Sequence, residues 1–163
     1  SARPRFTGHL SGLYVRHWKS GLEMRERFRC AMNDRTTAET GLWGEEEAER
    51  ALKSKGYKIL GRRVRLSSRD EIDLVARDGD VLVFVEVKTR KGVLFGRPVS
   101  AVDKAKRHTM SRAAVRYLKK IRCPRVNFRF DVVEVTGSVG DDNPKINHIE
   151  NAFTLDTRYS IPY

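Results

Sequence analysis

The sequence predicts an α/β fold of the α+β kind: a central mixed sheet flanked by helices, with core order αβββαβ. Three observations carry this prediction. Residues 42–55 are helix-spaced, residues 70–90 hold two apolar strand runs joined by a turn, and a second helical pattern separates that pair from a further strand at 126–135. At 163 residues the chain is long enough for one ordinary core and short for a second.

The elements follow in order. Residues 1–40 hold eight Lys/Arg against four Asp/Glu, and their apolar residues keep no sustained period. They read as a basic extension outside the core, either a nucleic-acid tether or a mobile tail, with Met24 and Met32 as later candidate starts. Leu42 to Lys55 favours helix, stops at Gly56 as a C′ residue, and sets Glu45, Ala48 and Leu52 on one face. Glu46, Glu47, Glu49, Arg50 and Lys53 fall on faces expected to be solvated. "YKILGRRVRL" (57–66) reads as a strand, and Ser67 to Asp70 as a polar turn. Ser100 and Asp103 resemble a capping box opening a helix with an inward stripe of Val102, Lys106, Thr109, Ala113 and Tyr117, which ends at Cys123-Pro124. "VNFRFDVVEV" (126–135) is a strand, 137–144 a loop, and "INHIENAF" a closing element of open type. The domain is expected over 41–155 and a C-terminal tail over 156–163.

Charge and composition narrow the function classes. With 33 Lys+Arg against 21 Asp+Glu, the formal charge is +12, which favours a polyanionic partner, nucleic acid first. Cys30 and Cys123 show no zinc-finger or CxxC spacing, which fits a reducing cytoplasm. No apolar run approaches the ~20 residues of a membrane span, and no secretory h-region opens the chain. His9, His17, His108 and His148 lack ligand spacing and a Ser or Cys partner, and are expected at the surface.

The run "DEIDLVARDGDVLVFVEVKTR" (70–90) puts Asp73, Glu86 and Lys88 among apolar residues. A two-residue Asp78-Gly79 turn would oppose Arg77 to Asp80, Val75 to Leu82, Asp73 to Phe84 and Glu71 to Glu86. Asp73 and Glu86 then become diagonal neighbours on one face, with Lys88 following on the same side. The other face would collect Ile72, Leu74, Ala76, Val81, Val83, Val85 and Val87 for a packed helix. Two carboxylates side by side repel, and partial burial without a partner costs each several kcal/mol. A divalent cation resolves that conflict. Alternating Val-Glu-Val-Lys is also the pattern of any half-exposed strand; Asp73 at matching parity and Glu45 on an inward helix stripe weigh toward a site.

Asp73 followed by Glu86-Val87-Lys88 resembles the PD-(D/E)xK signature of the restriction-endonuclease-like superfamily. The blocks "GLWGEEEA", "EIDLVARDG", "LVFVEVKTR", "FGRPVSAVDKAKR" and "RFDVVEV", in that order from Gly41 to Phe153, are similar to the YraN-type family of small uncharacterised bacterial proteins. Asp70 stands where that family usually has Gly. The resemblance implies a restriction-endonuclease-like core with Asp73 and Glu86 as metal ligands, Lys88 near the attacking water, and Glu45 as the helix-borne acid completing the site.

The implied chemistry is metal-dependent phosphodiester hydrolysis. Carboxylate oxygens suit Mg²⁺ or Mn²⁺, which activate water and polarise phosphate. Lys88 could orient the water, act as its base or stabilise charge at phosphorus. Arg62, Arg63, Arg65, Arg90, Arg97 and Lys106 are the candidate phosphate contacts, while Arg129 and Asp131 form an ion pair that is either near the site or purely structural. DNA is the favoured substrate, with branched or repair intermediates suggested by superfamily analogy. The alternatives are a non-catalytic nucleic-acid-binding protein on the same fold and a protein-binding adaptor.

Overall fold

A computed structural model describes residues 21–90, 102–122 and 124–161, with side chains from residue 37 onward. Lys91, Arg97, Ser100, Cys123, His9, His17 and the side chain of Cys30 therefore lie outside the described residues. The chain divides into a unit of residues 1–36 and a second of residues 37–163.

Helix α1 spans Gly21–Ser54, so it begins well before the expected Leu42. Residues 21–40 lack an apolar stripe, but they are rich in Glu, Arg, Met and Ala and free of proline. Local preference alone favours helix in such a segment, without a face to bury. The helix stops as predicted: Gly56 (φ +90) donates its N–H to Lys53 O, and Tyr57 N–H reaches back to Leu52 O. Those two bonds make a Schellman cap, with Tyr57 and Leu52 packed in the same cluster.

Strands β1 (Lys58–Ser67), β2 (Asp70–Asp78), β3 (Val81–Arg90), β4 (Asn127–Thr136) and β5 (Lys145–Phe153) form one mixed sheet in sequential order, and α2 (Lys104–Lys120) lies between β3 and β4 in sequence. All neighbours are antiparallel except β3 and β4. This is the α+β architecture expected, consistent with a restriction-endonuclease-like core, and the undecided "INHIENAF" segment is its fifth strand.

Both faces of the sheet are buried. Trp43, Ala48 and Leu52 of α1 cover Leu74, Ala76, Val83, Val85, Val133 and Val135. Met110, Ala113, Ala114 and Leu118 of α2 cover Ile72, Val75, Leu82, Phe84, Phe130 and Val132. The expectation of a single packed face is thus corrected, because the strand parity that carries the acids also carries Val75 and Phe84 into the core beneath α2. The α2 stripe is the expected one in part: Val102 and Ala113 are buried, Tyr117 packs against the same cluster and Lys106 turns to Glu86. Met110, Ala113, Ala114 and Leu118 face inward, while Thr109 is partly exposed and donates to Ala105 O. Asp103, and not Ser100, is the N-cap, its carboxylate accepting Lys106 N–H at 2.7 Å. The helix closes at Lys120, short of Cys123-Pro124.

α1 meets β3 with little clearance. A Cβ built on Gly44 would lie 1.8 Å from Thr89 Oγ1, so only glycine permits the approach. On the other side of the sheet, Asp70 is 1% exposed and binds Arg112 at 2.7 Å, Arg116 at 3.0 Å and Ser67 Oγ at 2.9 Å. These bonds tie the start of β2 to α2 through ion pairs. Among the described residues no helix is long and apolar enough to cross a membrane.

Candidate functional site

The β2–β3 turn is Gly79-Asp80, not Asp78-Gly79. Asp78 pairs with Val81, Arg77 with Leu82 and Leu74 with Val85. Gly79 takes φ +54 and Asp80 does not have a positive φ, as the first and second central positions of a II′ turn require. The expected pairing is therefore off by two residues. A slip of one would have sent the acids to opposite faces, whereas a slip of two preserves side and changes partner. Continued one step beyond Leu74↔Val85, the register sets Asp73 opposite Glu86 and not diagonal to it.

Asp73 also marks an irregularity. Arg62 pairs with Leu74 on the α1 side of the sheet, but Val64 pairs with Ile72 on the α2 side. Both strands change faces between those pairs, across Arg63, whose φ is +45, and Asp73. This change removes Ile72 from the apolar row predicted for it. It also leaves Asp73 at a point where regular pleating is interrupted, a common setting for functional side chains.

The two carboxyls lie within hydrogen-bonding reach of each other, and Asp73 Oδ2 accepts Val87 N–H at 2.8 Å. Burial, followed by the charge of Glu86, pushes the Asp73 carboxyl up to about 6, against the opposing pull of Val87 N–H and Lys106. Lys106 Nζ sits 2.8 Å from Glu86 Oε2. Lys88, half-buried, follows Glu86 by two residues on β3 and lies beside Glu134 across the parallel register. No described hydrogen bond or ion pair holds its ammonium.

Glu45 does not join the acidic pair. Its carboxylate is clamped by Arg63 at 2.8 and 3.1 Å, beside an open groove of about 480 Å³ between α1 and β1 that neither Asp73 nor Glu86 lines. Among the described residues no group of three or more His, Cys, Asp or Glu converges on one point. The other candidate contacts are also engaged: Arg62 with Glu49, Arg65 with Glu71 at 2.7 Å, and Arg90 with Glu134 at 3.7 Å. Glu47 and Glu49, expected in water, are 8% and 6% exposed, because Arg50, Lys53 and Arg62 fold over them.

Sequence reasoning missed Glu134. It is 6% exposed, accepts Asn147 Nδ2 on one oxygen, and leaves Oε1 buried without a hydrogen-bond partner. Its alternation with Val132 was the available signal, since β4 pairs with β3 and Glu134 falls beside Lys88. The Arg129–Asp131 pair belongs to a buried hydrogen-bond network. Asp131 is fully buried and holds Arg129 Nε at 3.0 Å, His148 Nε2 at 3.0 Å and Asn151 N–H at 2.9 Å, while Arg129 reaches Asp78 and Tyr57 near the β2–β3 turn. Burial would raise the Asp131 carboxyl, but His148, Arg129 and Asn151 outweigh it and hold it low. The His148 side chain is 2% exposed, which corrects its expected surface position: β5 lays it against Asp131 and edge-on to Tyr57.

Residues 44–135, which include Glu45, Asp73, Glu86, Lys88, Lys106 and Glu134, match the model of uncharacterised protein family UPF0102. The chain belongs to the UPF0102 family. A UPF0102 protein of Syntrophomonas wolfei is 47% identical over 115 residues, covering 71% of this chain and 97% of that protein. Those of Symbiobacterium thermophilum (46%, 68% of this chain and 92% of the relative) and Geobacter sulfurreducens (44%, 71% and 88%) are similar. UPF0102 is the YraN family, so the sequence resemblance is borne out.

Proposed function

We propose that this UPF0102 protein is a metal-dependent nuclease that hydrolyses phosphodiester bonds in DNA. The observation that carries the reading is the Asp73–Glu86 pair: two carboxyls in contact, in a part-buried place where their mutual repulsion has no structural use. Hard oxygen donors from neighbouring strands fit one Mg²⁺ or Mn²⁺, with water and phosphate oxygens filling the other positions. Bound there, such an ion supplies Lewis-acid activation of water and phosphate. The chain's own residues do the rest. Val87 N–H fixes the Asp73 carboxylate, Lys88 lies free along the strand to orient water or meet developing charge, and the excess of Lys and Arg draws the polyanion in.

The clamping of Glu45 by Arg63 favours a second reading, a nucleic-acid-binding protein on the nuclease fold without cleavage. One experiment separates the two. Single-stranded, duplex and branched DNA, and RNA, are incubated with Mg²⁺, Mn²⁺ or EDTA, using wild type, Asp73→Asn and Lys88→Met. Metal-dependent cutting lost by at least about 100-fold in both variants is expected. No cutting of any form, or equal cutting by the variants, removes the nuclease reading. Salt-sensitive binding without cleavage then selects the second.

A further inference from the structure

We propose that Lys106 is a tethered counter-cation of the acidic pair: it occupies the position on Glu86 that a divalent ion requires, and it must leave before the ion can bind. This rests on the metal-dependent reading above and adds a built-in competitor to it.

The geometry is specific. Lys106 Nζ lies 2.8 Å from Glu86 Oε2, close enough to exclude an ion from that oxygen. A lysine merely covering apolar surface turns its ammonium to water; this one turns it to a carboxylate. Its backbone is fixed in the first turn of α2, where the Asp103 carboxylate accepts its N–H at 2.7 Å. The side chain remains 35% exposed. A rigid base with a flexible, partly solvated stem can swing the ammonium off Glu86 without disturbing α2.

The chemistry explains why a lysine belongs there. Two touching carboxyls need positive charge when no ion is present, and Lys106 makes a described ion pair with Glu86 while Lys88 does not. Ion and ammonium compete for one oxygen, so the apparent ion affinity falls by the fraction of molecules in which Lys106 is seated. Once displaced, the ammonium stands one stem-length from the site, where a phosphate oxygen of the polyanion arrives. Loading of the ion and capture of the substrate thereby become linked through one side chain.

The test is Mn²⁺ binding by calorimetry at fixed pH and salt, on the full chain, with thermal melts to confirm folding. Lys106→Met and Lys106→Gln are expected to bind Mn²⁺ about fivefold tighter than wild type, the ratio that one ion pair of ordinary strength represents. Lys106→Arg should return to within about twofold of wild type. Lys104→Met, which removes an exposed charge from the same helical turn, should leave the affinity unchanged. Equal affinity in wild type and Lys106→Met overturns the role of Lys106 and leaves the metal-dependent reading standing. Equal tightening by Lys104→Met also overturns it, because a general field then accounts for the effect. Absence of saturable binding in every form overturns both readings.

Discussion

Replacing Asp73 by Asn should make the metal-free protein more stable at neutral pH. The carboxyl is buried against Glu86, and burial together with that charge moves it from 3.8 to about 6. A group raised in the folded state binds its proton more tightly there than in the unfolded chain. Its contribution is therefore complete below about pH 4, shrinks as pH rises through about 6, and is lost above. A carboxyl moved from 3.8 to about 6 corresponds to roughly 3 kcal/mol. Asn keeps an oxygen for Val87 N–H and has no charge to desolvate, so Asp73→Asn should gain about 2–3 kcal/mol at pH 7.5 and almost nothing at pH 4. Urea unfolding in EDTA at pH 4, 5.5 and 7.5 measures the difference. A variant no more stable than wild type at pH 7.5, or a gain that does not vary with pH, would refute the argument that the pair is electrostatically frustrated.

Two further expectations concern the scaffold. Asp70→Ala leaves Arg112 and Arg116 without their carboxylate and should cost about 2–3 kcal/mol in urea unfolding at pH 7, where a loss under about 0.5 would show the anchor to be dispensable. Burial would raise Asp70, but its bonds to Arg112 and Ser67 outweigh that and hold it below the ordinary range. Its stabilisation is thus present above about pH 4 and fades as pH falls through the lowered value, so the Asp70→Ala penalty should shrink in acid. Gly44→Ala forces a methyl into Thr89 and should lower stability by at least about 2 kcal/mol, with Thr89→Ala restoring part. Full stability of the single variant would mean that α1 and β3 do not approach as closely as described.

Periodicity carried the fold. Strand limits read from alternation fall within about a residue or two of those observed, because both sheet faces are apolar and the turns are punctuated by Gly, Ser and Asp. The acidic pair was legible for a less secure reason: the turn was placed one residue early, and the resulting two-residue slip preserved parity. Ile72 was misplaced because alternation assumes uniform pleating, and nothing in "RRV" or "IDL" announces the change of face at Arg63 and Asp73. Glu45 was correctly put near the inward stripe, but Arg63 lies eighteen residues away, beyond any helical spacing rule. Lys106 as partner of Glu86, Glu134 beside Lys88, and His148 on Asp131 all arise from pairing across the α2 crossover or onto β5. Such contacts leave no local pattern, since they depend on which strands become neighbours and in what register.

The parallel pairing of β3 with β4 also sets an order of assembly. The β2–β3 hairpin closes a two-residue turn and can form within microseconds, bringing Asp73 and Glu86 together at once. Lys106 arrives only after the chain beyond β3 has formed a helix and packed it back on the sheet, a non-local closure that is slower and entropically costlier. During folding the two acids must therefore wait for their cation. The nascent hairpin passes through a stage at which the acidic pair lacks Lys106 and is most open to an ion from solution, so divalent cations should speed refolding more than they slow unfolding.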